Sequence, residues 1–142
     1  MRNVLSCRFP LFSLVVVTGC LLASISRVHA QETIAFSAEQ VSRGETLYRE
    51  TCQICHGNRL SNGQFGTPLR GSFFRNNWKG KSLGDLATNT FEKMPPDNVE
   101  SLSYGQITDV LAFILSRNDL EAGDAPMSTD VEILAGIPLP WQ

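Results

Sequence analysis

Histidine and cysteine are scarce in this chain, and the few that it has are unevenly placed. The 142 residues include two histidines and four cysteines, and half of each kind lie in the first thirty residues. Beyond residue 30 the chain keeps only Cys52, Cys55 and His56. A single histidine cannot build a histidine-rich metal site. If Cys52 and Cys55 hold another group, no cysteine is left for a structural disulfide.

Acidic residues are absent from the first thirty residues, which have the plan of a secretory signal peptide. Residues 1–8 carry Arg2 and Arg8, and residues 9–26 are uncharged and mostly apolar. The segment ends on Val28-His29-Ala30, with small or branched residues at the −3 and −1 positions of a cleavage site. We therefore expect cleavage after Ala30 and a periplasmic protein.

Two other fates of this segment stay open. Val17-Thr18-Gly19-Cys20 resembles a lipobox, which would make Cys20 a lipidated N-terminus, although the apolar Leu21-Leu22 that follows is untypical of a lipoprotein tether. The eighteen uncharged residues 9–26 are also just long enough to span a membrane as an uncleaved anchor. We expect membrane attachment only in these two cases.

Positive charge is also in short supply after residue 30. There the chain has nine Lys and Arg residues against fourteen Asp and Glu residues, a net charge of −5. This balance argues against nucleic acid as a partner. The length suits one small domain.

The stretch Cys52-Gln53-Ile54-Cys55-His56 brings the remaining cysteines and histidine together. Positions i, i+3 and i+4 share one face of a helix, so two thiols and one imidazole can address one planar ligand. This spacing is the attachment signature of a c-type haem, with thioethers from Cys52 and Cys55 and an iron ligand in His56. The alternative is a redox CxxC pair, or half of a zinc site, followed by an accidental histidine.

Three amphipathic segments begin with a serine cap and predict helices. The first opens at Ser37 and runs to about Thr51. The second covers Ser82 to Met94, and the third runs from about Tyr104 to Arg117, with Asn118 as its stop.

Gly44 interrupts the apolar face of the first predicted helix. A glycine inside a helix costs about 1 kcal/mol relative to alanine. A glycine at such a position usually allows the backbone of another helix to come close. We expect a second helix to cross at Gly44, with Tyr48 and Phe113 packing beside the crossing; the alternative is a tolerated surface glycine.

Residues 58–81 predict a long loop without secondary structure, rich in Gly, Asn, Ser and Pro. Such loops are uncommon inside a compact domain unless they serve a function, and wrapping a large apolar cofactor would explain this one. Trp78 is a candidate to donate its indole N–H to a haem propionate, with plain core packing as the alternative. Arg70 and Arg75 could neutralise propionates or could simply be solvated.

Met94 is the predicted second ligand of the iron. It ends the apolar face of the second helix and precedes Pro95-Pro96, which favours an extended Met94 whose thioether can point into a pocket. Met127, the other methionine beyond residue 30, lies in a polar tail. A thioether opposite an imidazole is a common axial pair. The alternative is that Met94 fills a gap in the core.

These features, taken in order, resemble the small monohaem cytochromes c of class I over residues 37–118. The segments Trp78–Leu86, Lys93–Pro96 and Ala112–Leu115 look more specifically like bacterial periplasmic cytochromes c that accompany, or are fused to, quinone-cofactor alcohol dehydrogenases. The resemblance implies an all-α fold of three main helices and loops around one covalent haem c. It carries the family's haem and iron-ligand roles onto Cys52, Cys55, His56 and Met94.

The chain departs from this family at one position. The family often has Gly-Pro-x-Leu after the haem motif, and the proline carbonyl orients the proximal histidine. Here the run is Gly66-Thr67-Pro68-Leu69, so Thr67 stands where that proline is expected. A backbone carbonyl can still serve as the acceptor.

Residues 119–142 lack a clear period but are too apolar for a free tail, so they either lie over the domain or meet a partner. We divide the chain into a signal peptide (1–30), a cytochrome c domain (31–118) and a C-terminal extension (119–142).

The expected function is electron transfer by a monomer rather than catalysis. A periplasmic dehydrogenase would be the donor, and an oxidase or another cytochrome the acceptor. The rivals are a subunit held permanently in a dehydrogenase complex and, if Met94 is not a ligand, a haem ligand sensor or peroxidase-like protein.

Overall fold

The computed structural model describes residues 33–141 and shows helices and no strand within that range. The all-α prediction is confirmed. The predicted signal peptide, with Cys7, Cys20 and His29, lies outside the described residues. None of the helices in the described range is both long and apolar enough to span a membrane. The helices are α1 Ala38–Leu47, α2 Gln53–His56, α3 Gly71–Asn77, α4 Leu83–Lys93, α5 Tyr104–Ser116 and α6 Val131–Ala135.

Each of the three longest helices starts with a capping box, as the sequence predicts. The serine hydroxyl accepts the backbone N–H three residues on, and the side chain at that position accepts the serine N–H. The pairs are Ser37–Gln40 in α1, Ser82–Asp85 in α4 and Ser103–Gln106 in α5. The backbone N–H of Ser82 lowers the pKa of Asp85, and the hydroxyl of Ser82 lowers it further.

Helices α1 and α5 cross at Gly44, and this crossing is the centre of the fold. A Cβ atom at Gly44 would overlap the carbonyl oxygen of Asp109 on α5. The rings of Tyr48 and Phe113 pack next to it, with centroids 5.2 Å apart. At the surface, Arg43 of α1 forms an ion pair with Asp109 of α5 that links the two helices. Its Nε and Nη2 atoms each lie 2.7 Å from a carboxylate oxygen of Asp109. The predicted helix crossing is confirmed.

The first helical segment continues past Thr51 and carries a π-helical turn at Tyr48–Cys52 between α1 and α2. Such turns are rare and often occur at functional sites. The hydroxyl of Tyr48 donates to the carbonyl oxygen of Gly57 at 2.7 Å, which ties the turn to the residue that follows His56. The sequence gives no sign of this turn, because its pattern of apolar residues is that of an ordinary helix.

The predicted structureless loop contains helix α3, so that prediction is wrong for residues 71–77. Phe74 is buried, and its ring packs against Trp78 and Trp141. The helix has no side-chain cap, and Gly71 starts it with a positive φ of 80°. Tertiary packing of Phe74 therefore stabilises a segment whose local sequence favours a loop.

Residues 119–141 lie over the domain. A Cβ at Gly84 of α4 would come within 2.6 Å of the backbone nitrogen of Ala135 in α6. The Leu83 N–H donates to the Ile137 carbonyl at 2.8 Å, and the Leu139 N–H donates to the Lys81 carbonyl at 2.9 Å. Leu134, Ile137 and Leu139 are buried.

Met127 is also part of the core, although the sequence places it in a polar tail. Its side chain is 4% exposed. Its N–H donates to the Gln40 side-chain oxygen at 2.6 Å, and Gln40 Nε2 donates to its carbonyl at 3.4 Å. These bonds fix Met127 beside the first turn of α1.

Candidate functional site

Cys52 and Cys55 lie one helical turn apart, at the end of the π-helical turn and in α2. Both thiols are free and partly buried. Burial raises the pKa of the Cys52 thiol to about 11, and the nearby Cys55 adds to the rise. At neutral pH the Cys52 thiol is therefore protonated, which makes it a weak nucleophile.

His56 is held in one orientation by the loop that follows it. The residue is 7% exposed, and Nδ1 lies 2.7 Å from the backbone carbonyl oxygen of Thr67. A carbonyl only accepts hydrogen bonds, so Nδ1 carries the proton and Nε2 keeps its lone pair for a metal. Thr67 supplies the acceptor that the class I family takes from a proline.

The loop that follows His56 packs against it at two glycines, Gly63 and Gly66. A side chain at either position would overlap the haem motif. A Cβ at Gly66 would lie 2.6 Å from His56 Nδ1, and one at Gly63 would overlap the Cys55 carbonyl oxygen. The Gly66 N–H donates to that same carbonyl at 2.9 Å. The loop therefore lies directly against the motif.

Asn118 anchors the far end of this loop to α5, a role that sequence reasoning missed. The side chain is 2% exposed, and its Nδ2 donates to the Leu69 carbonyl at 2.9 Å. Its Oδ1 accepts the Gly71 N–H at 3.1 Å. The partners lie 47 and 49 residues away along the chain, so no local pattern signals the contact.

Met94 is the last residue of the α4 segment and leaves the helix in an extended conformation. Its φ and ψ angles are −127° and 139°, and its N–H still donates to the Thr90 carbonyl at 2.9 Å. The side chain is partly buried. The conformation expected from Pro95-Pro96 is confirmed; the iron-ligand role stays a prediction.

Trp78 is partly buried between α3 and the chain that follows. Its ring centroid lies 6.3 Å from that of Phe74, and Lys81 Nζ lies 4.8 Å from the ring. The predicted propionate contact stays a prediction. Of the two arginines considered for propionates, Arg75 pairs with Asp119 at 3.4 Å and Arg70 lines a separate cavity.

The donor set fits a covalently attached haem. Two thiols and an imidazole share one short helical segment, His56 offers Nε2, and Met94 adds a thioether at a helix end. Within residues 33–141, no three His, Cys, Asp or Glu side chains gather as a metal site.

The comparisons with known proteins point the same way. A family model described as cytochrome c oxidase, cbb3-type, subunit III matches residues 39–114, from the first turn of α1 to near the end of α5. No curated protein and no solved structure matches the chain.

Proposed function

The chain belongs to the cytochrome c family described as cytochrome c oxidase, cbb3-type, subunit III, and on that premise we propose that it carries single electrons in the periplasm. One haem c would be attached through Cys52 and Cys55 and ligated by His56 and Met94. The observation that supports the proposal is the hydrogen bond from His56 Nδ1 to the Thr67 carbonyl, which leaves Nε2 free to bind a metal beside two thiols at the spacing of the haem motif.

Haem c supplies a reversible one-electron couple. The protein's part is to hold and shield it. The carbonyl of Thr67 fixes the proximal ring, and a hydrogen bond to Nδ1–H makes the imidazole a better electron donor to a metal. A thioether ligand from Met94 would raise the reduction potential of the haem and would leave no iron position for a substrate.

The position of Met127 supports Met94 as the second ligand. Met127 is fixed by Gln40 beside the first turn of α1, whereas Cys52 lies beyond the other end of that helix. At 1.5 Å per residue, the twelve steps of helical chain from Gln40 to Cys52 place these two residues roughly 18 Å apart. Met127, which binds Gln40, is therefore far from the haem motif. Met94 is thus the methionine of the described chain that remains for the iron.

We propose protein redox partners at the surface around the haem motif. Ile54 lies between the two cysteines and is 82% exposed, and Phe65 in the following loop is 81% exposed. Exposed apolar groups suit a small, transient interface. The donor would be a periplasmic dehydrogenase, of the quinone-cofactor alcohol dehydrogenase type by the resemblance above, and the acceptor an oxidase or another cytochrome.

Packing of the C-terminal segment favours a monomeric carrier over a permanently docked subunit. Its apolar residues Leu134, Ile137 and Leu139 are buried against the protein's own α4 region. They are therefore not available to bind a dehydrogenase.

A redox titration of the purified holoprotein tests the proposal. We expect one haem per chain, one electron per haem, and a ferrous spectrum that carbon monoxide leaves unchanged. Carbon monoxide binding with peroxide turnover would instead support the sensor or peroxidase-like alternative.

A further inference from the structure

A cavity of about 730 Å³ lies next to the haem motif, and Gln53 is the one residue of that motif that lines it. Its volume falls in the range of small-molecule pockets. It is open to solvent on one side and is lined by the end of α1, the π-helical turn, α2, the 58–61 turn, the start of α3 and the end of α5. The five residues predicted to hold the haem do not line it.

Positive charge is concentrated in this cavity. Its charged lining residues are Glu45 and the four arginines Arg49, Arg59, Arg70 and Arg117. The chain beyond residue 30 has only nine basic residues against fourteen acidic ones. An acidic protein thus places almost half of its cations around one concave surface, where the field on an anion is strongest.

The single carboxylate does not neutralise this charge. Glu45 Oε1 lies 2.6 Å from Arg49 Nη2 and 3.6 Å from Arg117 Nη2. In the part of the chain that the structure describes, neither Arg59 nor Arg70 forms an ion pair.

The remaining lining residues suit a small polar ligand. Gln53, Asn58 and Ser61 offer neutral hydrogen-bonding groups, and Leu60 and Phe113 supply apolar wall. Guanidinium groups match the paired oxygens of phosphate and carboxylate groups.

We propose that this cavity binds a small polyanion carrying two or more phosphate or carboxylate groups. Arg59 and Arg70 are the principal contacts, and Arg49 and Arg117 complete the positive wall.

Binding here also stabilises the loop that orients His56. Arg59 and Arg70 flank the two ends of that loop, where the Leu69 N–H donates to the Leu60 carbonyl at 2.6 Å. Thr67 lies between them. An anion that bridges the two arginines closes the loop more firmly, so it raises the melting temperature of the holoprotein by mass action.

Calorimetric titration of the holoprotein with pyrophosphate, and separately with citrate, tests the proposal. The variant Arg59→Gln/Arg70→Gln removes the principal contacts, and Lys79→Gln/Lys93→Gln makes the same charge change outside the cavity. We expect saturable one-to-one binding of at least one probe. Affinity should fall by about tenfold or more in the arginine variant and by less than about threefold in the lysine variant.

Binding of pyrophosphate alone or of citrate alone supports the proposal and identifies the anion class. Equal losses in the two variants overturn it, because they show a response to net charge only. Absence of saturation by about 10 mM of both probes also overturns it, as does binding to vesicles of anionic lipid without binding to either free anion.

Discussion

The orientation of His56 depends on the small size of Gly66. A Cβ atom there would lie 2.6 Å from His56 Nδ1, closer than non-bonded contacts allow. The imidazole and the loop cannot both keep their places if that atom is added. Gly66 therefore matters for ring orientation rather than for backbone freedom.

We expect Gly66→Ala to lower the unfolding free energy of the holoprotein by about 1–3 kcal/mol and to shift its reduction potential, because the ring must turn away from Thr67. Thermal unfolding and a redox titration measure the two effects. Gly105→Ala is the matched control: its Cβ would meet only the Ser103 hydroxyl, at 3.8 Å. If Gly66→Ala behaves like the control, the side chain at position 66 does not determine the orientation of His56.

Helix α4, which precedes Met94, starts with a charged cap. Asp85 accepts the Ser82 N–H at 2.8 Å, and this bond lowers the pKa of its carboxyl below the usual value of 3.8. Because the folded pKa is the lower one, the charged form stabilises the protein above pH 3.8, and the contribution is lost as the pH falls through the folded pKa.

Asp85→Asn should therefore lower the unfolding free energy at pH 7, by no more than about 1 kcal/mol since the group is exposed to solvent. The difference from the unaltered protein should shrink as the pH falls below 3.8. Urea unfolding at several pH values measures it, with the loop variant Asp124→Asn as control. A difference that stays constant down to low pH would show that the charge is irrelevant to the cap.

The sequence predicts some helices and misses others. Helices stabilised by contacts between residues close in sequence are predicted, and the helix stabilised by contacts between distant residues is not. The caps at Ser37, Ser82 and Ser103 involve residues three positions apart, so their pattern is visible in the chain. Helix α3 depends on packing of Phe74 against Trp141, which is distant in sequence, and its uncapped Gly71 start favours a loop.

The two sites of the molecule differ in the same way. The haem motif is local, and the sequence therefore predicts it. The Asn118 anchor and the arginine cavity unite residues from α1, the loop and α5, and neither can be seen before the chain is folded.

At the scale of the whole molecule, the C-terminal segment is part of the folded unit rather than an appendage. It pairs with the chain at the start of both α1 and α4, where Gly123 bridges to Ser37 and Pro138 bridges to Ser82. Its Leu134 is fully buried, whereas the neighbouring Ile133 is 43% exposed.

Leu134→Ala should lower the unfolding free energy of the holoprotein by about 2–5 kcal/mol, because it leaves a cavity between α6 and α4. Ile133→Ala, on the same short helix, should change it by less than about 1 kcal/mol. Denaturant unfolding followed by haem absorbance measures both. Equal effects, or a second transition for the tail alone, would show that residues 119–141 fold apart from the rest.

We propose above that the molecule holds its iron between His56 and Met94. The most direct measurement is the visible and near-infrared spectrum of the ferric holoprotein, compared with Met94→Ala and with Met127→Leu. We predict a low-spin spectrum with a thioether-to-iron charge-transfer band that disappears in Met94→Ala and persists in Met127→Leu. A high-spin spectrum in the unaltered protein, or a band that survives Met94→Ala, would contradict the account.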